Sequence, residues 1–469
     1  MRRSSDLLSV SSGINLAGST DSWEDIAPLL HKSGIRAIAT DRVGFGRTER
    51  PQPPRLPLPP FLTFLPPSSL RDSVAKAIES LPAPSPPGVL SALEGIFPTP
   101  NAVVATAIRR PDLLVPRLPW GLAGYGRYGE YGGGVTPYSS EFAALTIGPL
   151  LRTLLSGGGG RGGASADAGA GPRKIYLVGH SAGGPIALRA FTKAVGGGTK
   201  RKKWTDDADD SLLPSGCDIA GVVLIAPAVL DPEEDPGAYD YDNNDPSDDD
   251  FEESEEREPP AWLRRTLFRT VLSLPDVVGV PIARRIFDGR NITQALLNQT
   301  GVGVELSEER ARSLAEKYLS PVEEFPEEWD VGLLNVYRAD VLGGGSGGGE
   351  GRERGRDLLR LAREGAKRLV QRQATTTTTT ATTTTAGIEK ETKSEAQKQP
   401  TFCVITGEDD RVVPAKASRR VADLLGAGGD AVADTAIYVE MEGVGHLPMD
   451  ERPEELAEVL LDFMKEGRF

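Results

Sequence analysis

Cysteine and histidine are scarce in this chain: two cysteines, Cys217 and Cys403, and three histidines among 469 residues. Two thiols cannot build a disulfide framework or a cysteine-rich zinc site, and three imidazoles leave little for other metal chemistry. No metal and no cofactor is therefore expected. The same scarcity fits an intracellular, reducing compartment better than a secreted one. Long apolar runs are missing too, since none reaches the roughly 18 residues that a spanning helix requires. The start, Met1-Arg2-Arg3-Ser4-Ser5, is basic, but the apolar stretch behind it is too short for the hydrophobic region of a secretory signal.

A broad basic field is also absent. The formal net charge is −14, from 53 Lys and Arg against 67 Asp and Glu. Fifteen of those acids and one arginine lie between Asp231 and Glu258, so this segment alone carries −14 and the remainder is neutral. Neither nucleic acid nor anionic lipid is expected as a partner.

Glycine and proline, by contrast, are abundant at 54 and 37 residues, and they cluster. Seventeen of the prolines lie between Pro51 and Trp120. Proline fixes φ and removes a donor, so this stretch cannot be a central strand or a long helix. Residues 52–137 read as a Pro-rich insertion with short helices at 70–81 and 88–96. Residues 231–258 read as a solvated acidic loop. Amphipathic segments at 261–288, 291–299 and 307–319 make a helical block over 259–340. Residues 341–399 read as a Gly/Thr-rich low-complexity linker containing a charged helix at 352–373.

What remains, 1–51, 138–230 and 400–469, alternates between strand and helix. A helix at 21–30, capped by Ser19 or Asp21, leads to a strand at 35–40. A helix at 138–156 precedes a strand at 174–178 and a helix at 181–195. An apolar run at 219–229 has the character of a strand buried on both faces. Strands at 402–405 and 436–441 and helices at 415–425 and 453–465 complete the series. Such alternation predicts an α/β fold, a mostly parallel twisted sheet flanked by helices.

Chemistry gathers where these strands end. Gly179-His180-Ser181-Ala182-Gly183 lies between a strand and a helix. A chain turning abruptly there presents the middle side chain at the apex, and glycines two before and two after remove Cβ atoms that would collide. Ser181 is the candidate nucleophile. The Ala182 N–H, at a helix start, is a candidate oxyanion donor. A serine hydroxyl needs a base. His446, between glycines and Leu447 after the strand at 436–441, is the histidine free to serve, since His180 lies within the turn and His31 on an early helix. A carboxylate must orient that base. Glu408, Asp409 and Asp410 all follow the strand at 402–405, and Asp231 follows the run at 219–229, so spacing alone leaves the acid open.

Taken together, these segments resemble the α/β-hydrolase superfamily, in its lid-bearing serine hydrolase branch of esterases, lipases and carbon–carbon bond hydrolases. Asp41-Arg42-Val43-Gly44-Phe45-Gly46-Arg47-Thr48 is similar to the loop after that family's fourth strand, and Gly445-His446 to its histidine loop. In Gly407–Pro414 the resemblance selects the fourth residue, Asp410, as the acid. The order 181, 410, 446 follows the family's order of nucleophile, acid and base. The resemblance implies a helical lid at 259–340 and an ester hydrolase acting on a small, apolar acyl substrate. A carbon–carbon bond hydrolase of diketones would use the same residues. The sequence departs from the family twice. Ile14-Asn15 stands where a His-Gly pair is usual, placing Leu16 at the second oxyanion-donor position. The family also supplies two or three strands before this point, whereas only thirteen residues precede Ile14, so missing N-terminal strands are expected. Both departures favour a third reading, a catalytically impaired member that binds a ligand in the former cleft.

Overall fold

Strand residues alternate sides, and at the centre of the sheet, over 175–180, 222–225 and 402–407, both sides are buried. The computed structural model describes residues 5–11, 20–46, 48, 51, 66–81, 99–114, 136–156, 173–195, 213, 217–230, 270, 272–286, 289–299, 301, 307–309, 311–316, 332, 334–336, 338–339, 355–381, 401–426 and 435–465. Its strands are β1 (Ser5–Ser11), β2 (Ile35–Asp41), β3 (Arg173–His180), β4 (Cys217–Ile225), β5 (Phe402–Gly407) and β6 (Ala436–Met441). All pair in parallel, in the order β2-β1-β3-β4-β5-β6. The expected parallel α/β sheet is present.

Tyr176, Val178, Val223, Ile225, Cys403 and Ile405 face one hydrophobic layer, completed by Trp23, Leu456, Leu460 and Phe463. Ile175, Leu177, Val222, Leu224, Phe402 and Val404 face the other, completed by Ile186, Phe191, Leu358 and Val421. The first layer is closed by α1 (Ile26–Lys32) and the C-terminal helix, which packs against it. The second is closed by α4 (Ser140–Ser156), α5 (Gly183–Val195), α8 (Gly355–Ala381) and α9 (Ala415–Gly426). In chain order α2 (Ser68–Glu79) and α3 (Pro100–Arg109) precede α4, while α6 (Asp276–Ile286) and α7 (Gly289–Gln299) precede α8. The chain ends in α10 (Pro448–Glu451) and α11 (Pro453–Lys465).

Several elements differ from the sequence reading. The N-terminal strands were expected to be missing, but one, β1, is present before Ile14, and its pairing gives it an interior place between β2 and β3. The helix expected at 21–30 is a 3-10 turn, Thr20–Trp23, followed by α1, whose N-cap Asp25 makes no side-chain capping bond. Within the Pro-rich insertion, α3 was not anticipated. Its local chemistry is nonetheless that of a helix start, with Pro100 in the first turn and the Thr99 hydroxyl accepting from the Ala102 N–H at 3.2 Å. The charged helix of the 341–399 stretch runs from Gly355 to Ala381, into the threonine tract, and buries Leu358, Leu359, Ala362 and Ala366 in the second layer. It is the crossover helix that returns the chain to β5. The expected helix at 88–96, the linker glycines and the acidic stretch 231–258 lie outside the described residues.

A smaller cluster, Leu113, Leu272, Val277, Val280 and Leu334, joins the insertion helices to α6. Arg338 fastens this cluster by donating to the Leu272 and Leu274 carbonyls and to Asp276 Oδ1, the last at 2.6 Å. No described helix is long and apolar enough to cross a membrane.

A side-chain hydrogen bond between residues 288 apart in the chain joins β3 to α11. The buried Tyr176 hydroxyl donates to the Met464 carbonyl at 2.9 Å, and burial pushes its phenol up to about 12. Tyr176→Phe would leave that carbonyl unpaired. Urea melts should show a loss of about 1–3 kcal/mol; an unchanged midpoint would mean that the bond contributes nothing.

Candidate active site

Each strand of the sheet's centre ends in the same way at its carboxyl edge. The first residue past β3 donates its N–H to the last residue of β4, Ser181 N to Ile225 O at 2.8 Å. Ala226 N donates to Ile405 O of β5 at 2.8 Å, and Glu408 N to Met441 O of β6 at 3.0 Å. This staggered row fixes where the loops leave the sheet.

Ser181 leaves it in the left-handed region, φ 51°. For a residue with a Cβ this costs on the order of 1–3 kcal/mol. Its carbonyl accepts from the N–H groups of Gly184 and Ala228 at 2.9 and 3.1 Å, which helps to hold the turn. Of the two flanking glycines, Gly179 is required by space. A Cβ on Gly179 would lie 2.3 Å from the Gly183 carbonyl oxygen. Ala182 then starts the turn into α5, and the helix dipole directs its N-terminus toward this edge. Leu16, expected as a second oxyanion donor, lies outside the described residues.

The histidine arrives from β6. Strands lie about 4.8 Å apart, so a loop from β6 must cross β5 and approach β3, a span of about 14 Å. It crosses over Gly407, the last residue of β5. A Cβ there would meet the Val444 and Gly445 carbonyl oxygens at 2.1 and 2.2 Å. Asp409 N donates to Val444 O at 2.9 Å, and Gly443 N to Glu408 Oε2 at 3.0 Å, stitching the β5 and β6 loops together. At the far side the His446 ring lies 5.0 Å, centroid to centroid, from that of His180, the residue before Ser181.

Of the three neighbouring acids, Asp410 meets the imidazole. Its Oδ2 is 2.7 Å from His446 Nδ1, and its Oδ1 accepts from the N–H groups of Val412 and Val413 at 2.8 and 2.9 Å. Glu408 instead binds Gly443 N, and Asp231 lies outside the described residues. With Nδ1–H donated to a carboxylate, Nε2 presents a lone pair. Ser181 Oγ and His446 Nε2 are both buried, and neither has a hydrogen-bond partner. The structure thus brings Ser181, Asp410 and His446 to one edge, with His446 bound to Asp410 and the Ser181 hydroxyl unpaired. Such a set can deprotonate a hydroxyl and stabilise the resulting imidazolium. No cluster of three potential metal ligands occurs among the described residues.

Two further side chains hold the histidine loop, and the sequence reading missed both. His180 Nε2 donates to the His446 carbonyl at 2.9 Å. Burial first, and then the neighbouring His446, push the His180 pKa down to about 3, so the ring is neutral. Glu451 accepts from Gly445 N at 2.8 Å, Leu447 N at 2.9 Å and Gly301 N at 3.0 Å. Burial raises its pKa, those three N–H groups oppose the rise, and the Asp410 charge adds to it. Position 180 lay inside the recognised motif. For Glu451 the sequence offers only two adjacent acids, Asp450 and Glu451, four and five residues after the histidine, with nothing to separate them. The loop after β2 is also braced, by a bond from Arg42 Nη2 to the Tyr138 carbonyl and by Tyr138 Oη donating to Pro51 O at 2.6 Å.

A parallel sheet with a serine at a strained strand–helix turn and a carboxylate-bound histidine at the same edge defines the α/β-hydrolase class. The sequence matches the alpha/beta hydrolase family over residues 95–459, and the chain belongs to that family. No curated protein sequence matches it. Among solved structures it is similar to a bromoperoxidase from Bacillus anthracis, at 15% identity and TM-score 0.45, covering 99% of this chain and 92% of that one. It is similar to a thermophilic esterase from Thermogutta terrifontis at 13% identity and TM-score 0.44, covering 100% and 92%. A meta-cleavage product hydrolase from Pseudomonas fluorescens IP01 follows at 16% identity and TM-score 0.37, covering 100% and 92%.

The buried His180 makes stability depend on pH. Unfolded chains bind a proton there near 6.5 and the native state only near 3, so its contribution is complete above pH 6.5 and declines as pH falls toward 3. His180→Gln removes this proton uptake, while the opposing contribution of Glu451 is common to both proteins. Between pH 6.5 and pH 5 the unaltered protein should lose about 2 kcal/mol more than the variant in urea melts. Equal losses would show that His180 is not held neutral.

Proposed function

We propose that the protein is a serine hydrolase of carboxylic esters, with Ser181 as nucleophile, His446 as general base and acid, and Asp410 as the residue that orients His446. One observation carries the reading: His446 Nδ1 is bound to Asp410 at 2.7 Å while its Nε2 and the Ser181 hydroxyl, at the same sheet edge, are both buried and unpaired. A buried polar group left unpaired costs about 1–3 kcal/mol, and two in one place are what a substrate-processing site retains.

In this mechanism Nε2 takes the Ser181 proton as Oγ attacks the acyl carbon, and the negative charge moves to the former carbonyl oxygen. The Ala182 N–H receives that charge, with the Leu16 N–H as the second donor proposed from the sequence. The imidazolium, stabilised by Asp410, protonates the departing alkoxide and leaves an acyl-enzyme. Water, deprotonated by the same Nε2, then attacks the acyl carbon and releases the acid and the free Ser181 hydroxyl. No cofactor takes part. The same groups serve cleavage of a diketone carbon–carbon bond, which a substrate screen separates from ester hydrolysis. The contrasting reading is a binding protein that keeps the cleft without turnover.

A fluorophosphonate probe discriminates between catalysis and binding. Labelling of the folded protein should occur and should disappear in Ser181→Ala. On p-nitrophenyl esters, Asp410→Asn should lower kcat by on the order of 10²–10⁴ through loss of the oriented tautomer. Folded protein that takes up no probe, or labelling that persists in Ser181→Ala, would contradict the assignment.

A further inference from the structure

The peptide that carries His446 is gripped by one buried carboxylate. Glu451 Oε2 accepts from Gly445 N and Oε1 from Leu447 N, the residues immediately before and after the histidine. Glu451 itself is fixed, because it ends the short helix α10, in which its own N–H donates to Leu447 O at 2.9 Å. The side chain therefore reaches back over one turn and closes a ring around the histidine. The remaining polar group of that peptide, the His446 carbonyl, is taken by His180.

Glu451 has a third bond, which no requirement of the loop itself explains. Its Oε2 accepts from Gly301 N, 150 residues earlier, just past α7 in the helical block. Contact between that segment and the histidine loop is direct. A Cβ on Gly301 would lie 2.2 Å from the Gly443 carbonyl oxygen and 2.7 Å from the Val444 carbonyl carbon. Close approach of two backbones at this point thus depends on the absence of a side chain. One carboxylate joins a segment of the inserted helices to both peptides that set the imidazole.

We propose that Glu451 is a positioning residue that aims His446 at Ser181 by clamping the N–H groups on either side of it, and that its bond to Gly301 ties this aim to the placement of the inserted helices. Glutamine would serve poorly in its place, since it offers one acceptor oxygen and turns an amide donor toward N–H donors. The inference rests on the proposed role of His446 for its catalytic half, while the clamp is a claim about three backbone amides.

Glu451→Gln tests both halves. Amide hydrogen exchange should accelerate by about tenfold or more in peptides covering 443–447 and, together with them, in the peptide covering Gly301. With p-nitrophenyl butyrate kcat should fall about 10- to 100-fold while KM changes less than about twofold, because a misaimed base slows proton transfer without removing substrate contacts. If this variant does not fold, Gly301→Ala decides: its methyl group forces the Gly301 segment and the Gly443–Val444 backbone apart, and it should raise exchange at Gly301 and at 443–447 together and lower kcat in the same direction. Exchange that rises at 443–447 but not at Gly301 would overturn the tie to the inserted helices. Unchanged kcat in a folded Glu451→Gln protein, or a change confined to KM, would overturn the positioning role. Should the unaltered protein hydrolyse no ester and take up no fluorophosphonate, the proposed reaction fails, and the clamp stands or falls on exchange alone.

Discussion

The left-handed turn at Ser181 is the constraint on which the rest of the site depends. A side chain forced to φ 51° persists only because the neighbouring backbone leaves it no other course. That neighbouring backbone is the row of carboxyl-edge hydrogen bonds. Ser181 N is tied to β4, Ala226 N to β5 and Glu408 N to β6, so the exits of four strands are fixed relative to one another. Ala226, at φ 43°, is strained in the same sense as Ser181. The sheet's two apolar layers hold this row in place, and the strain lies at Ser181 and Ala226.

Geometry then demands a bridge. Ser181 stands at the end of β3, while His446 follows β6, two strands beyond β4. Only a loop lying flat on β5 closes that distance, and flatness there requires Gly407 without a side chain. Lying flat removes the loop's peptides from water, so each needs a partner. Glu451 and His180 supply partners to the peptides around His446, and Asp410 supplies one to its ring. The carboxylate bound to the imidazole and the one bound to its backbone are therefore separate groups.

Much of this was legible because the chemistry is local in the chain. Gly179 to Gly183 encode a strand–turn–helix within five residues, and the buried strands β3 to β5 show as apolar runs. Strand β1 was not legible, since three of its seven residues are serines and its place is set by pairing with β2 and β3. The role of α8 was hidden for another reason. Its charged residues dominate its composition, while a narrow stripe of Leu358, Leu359, Ala362 and Ala366 docks it on the sheet. Asp410 could be separated from Glu408 and Asp409 only by resemblance, because the distinction lies in which carboxylate the loop turns inward. Glu451 could not be read at all, for its partners are backbone amides, one of them 150 residues away.

The central claim is that a hydroxyl, an imidazole and a carboxylate from three strand ends act as one unit. A crystal structure of the protein after reaction with a fluorophosphonate tests it most directly. The account predicts phosphorus bonded to Ser181 Oγ, with His446 Nε2 within about 3.2 Å of that oxygen or of the phosphonyl group and Nδ1 still on Asp410. Phosphorus on any other residue, or an imidazole turned away from the adduct, would contradict it.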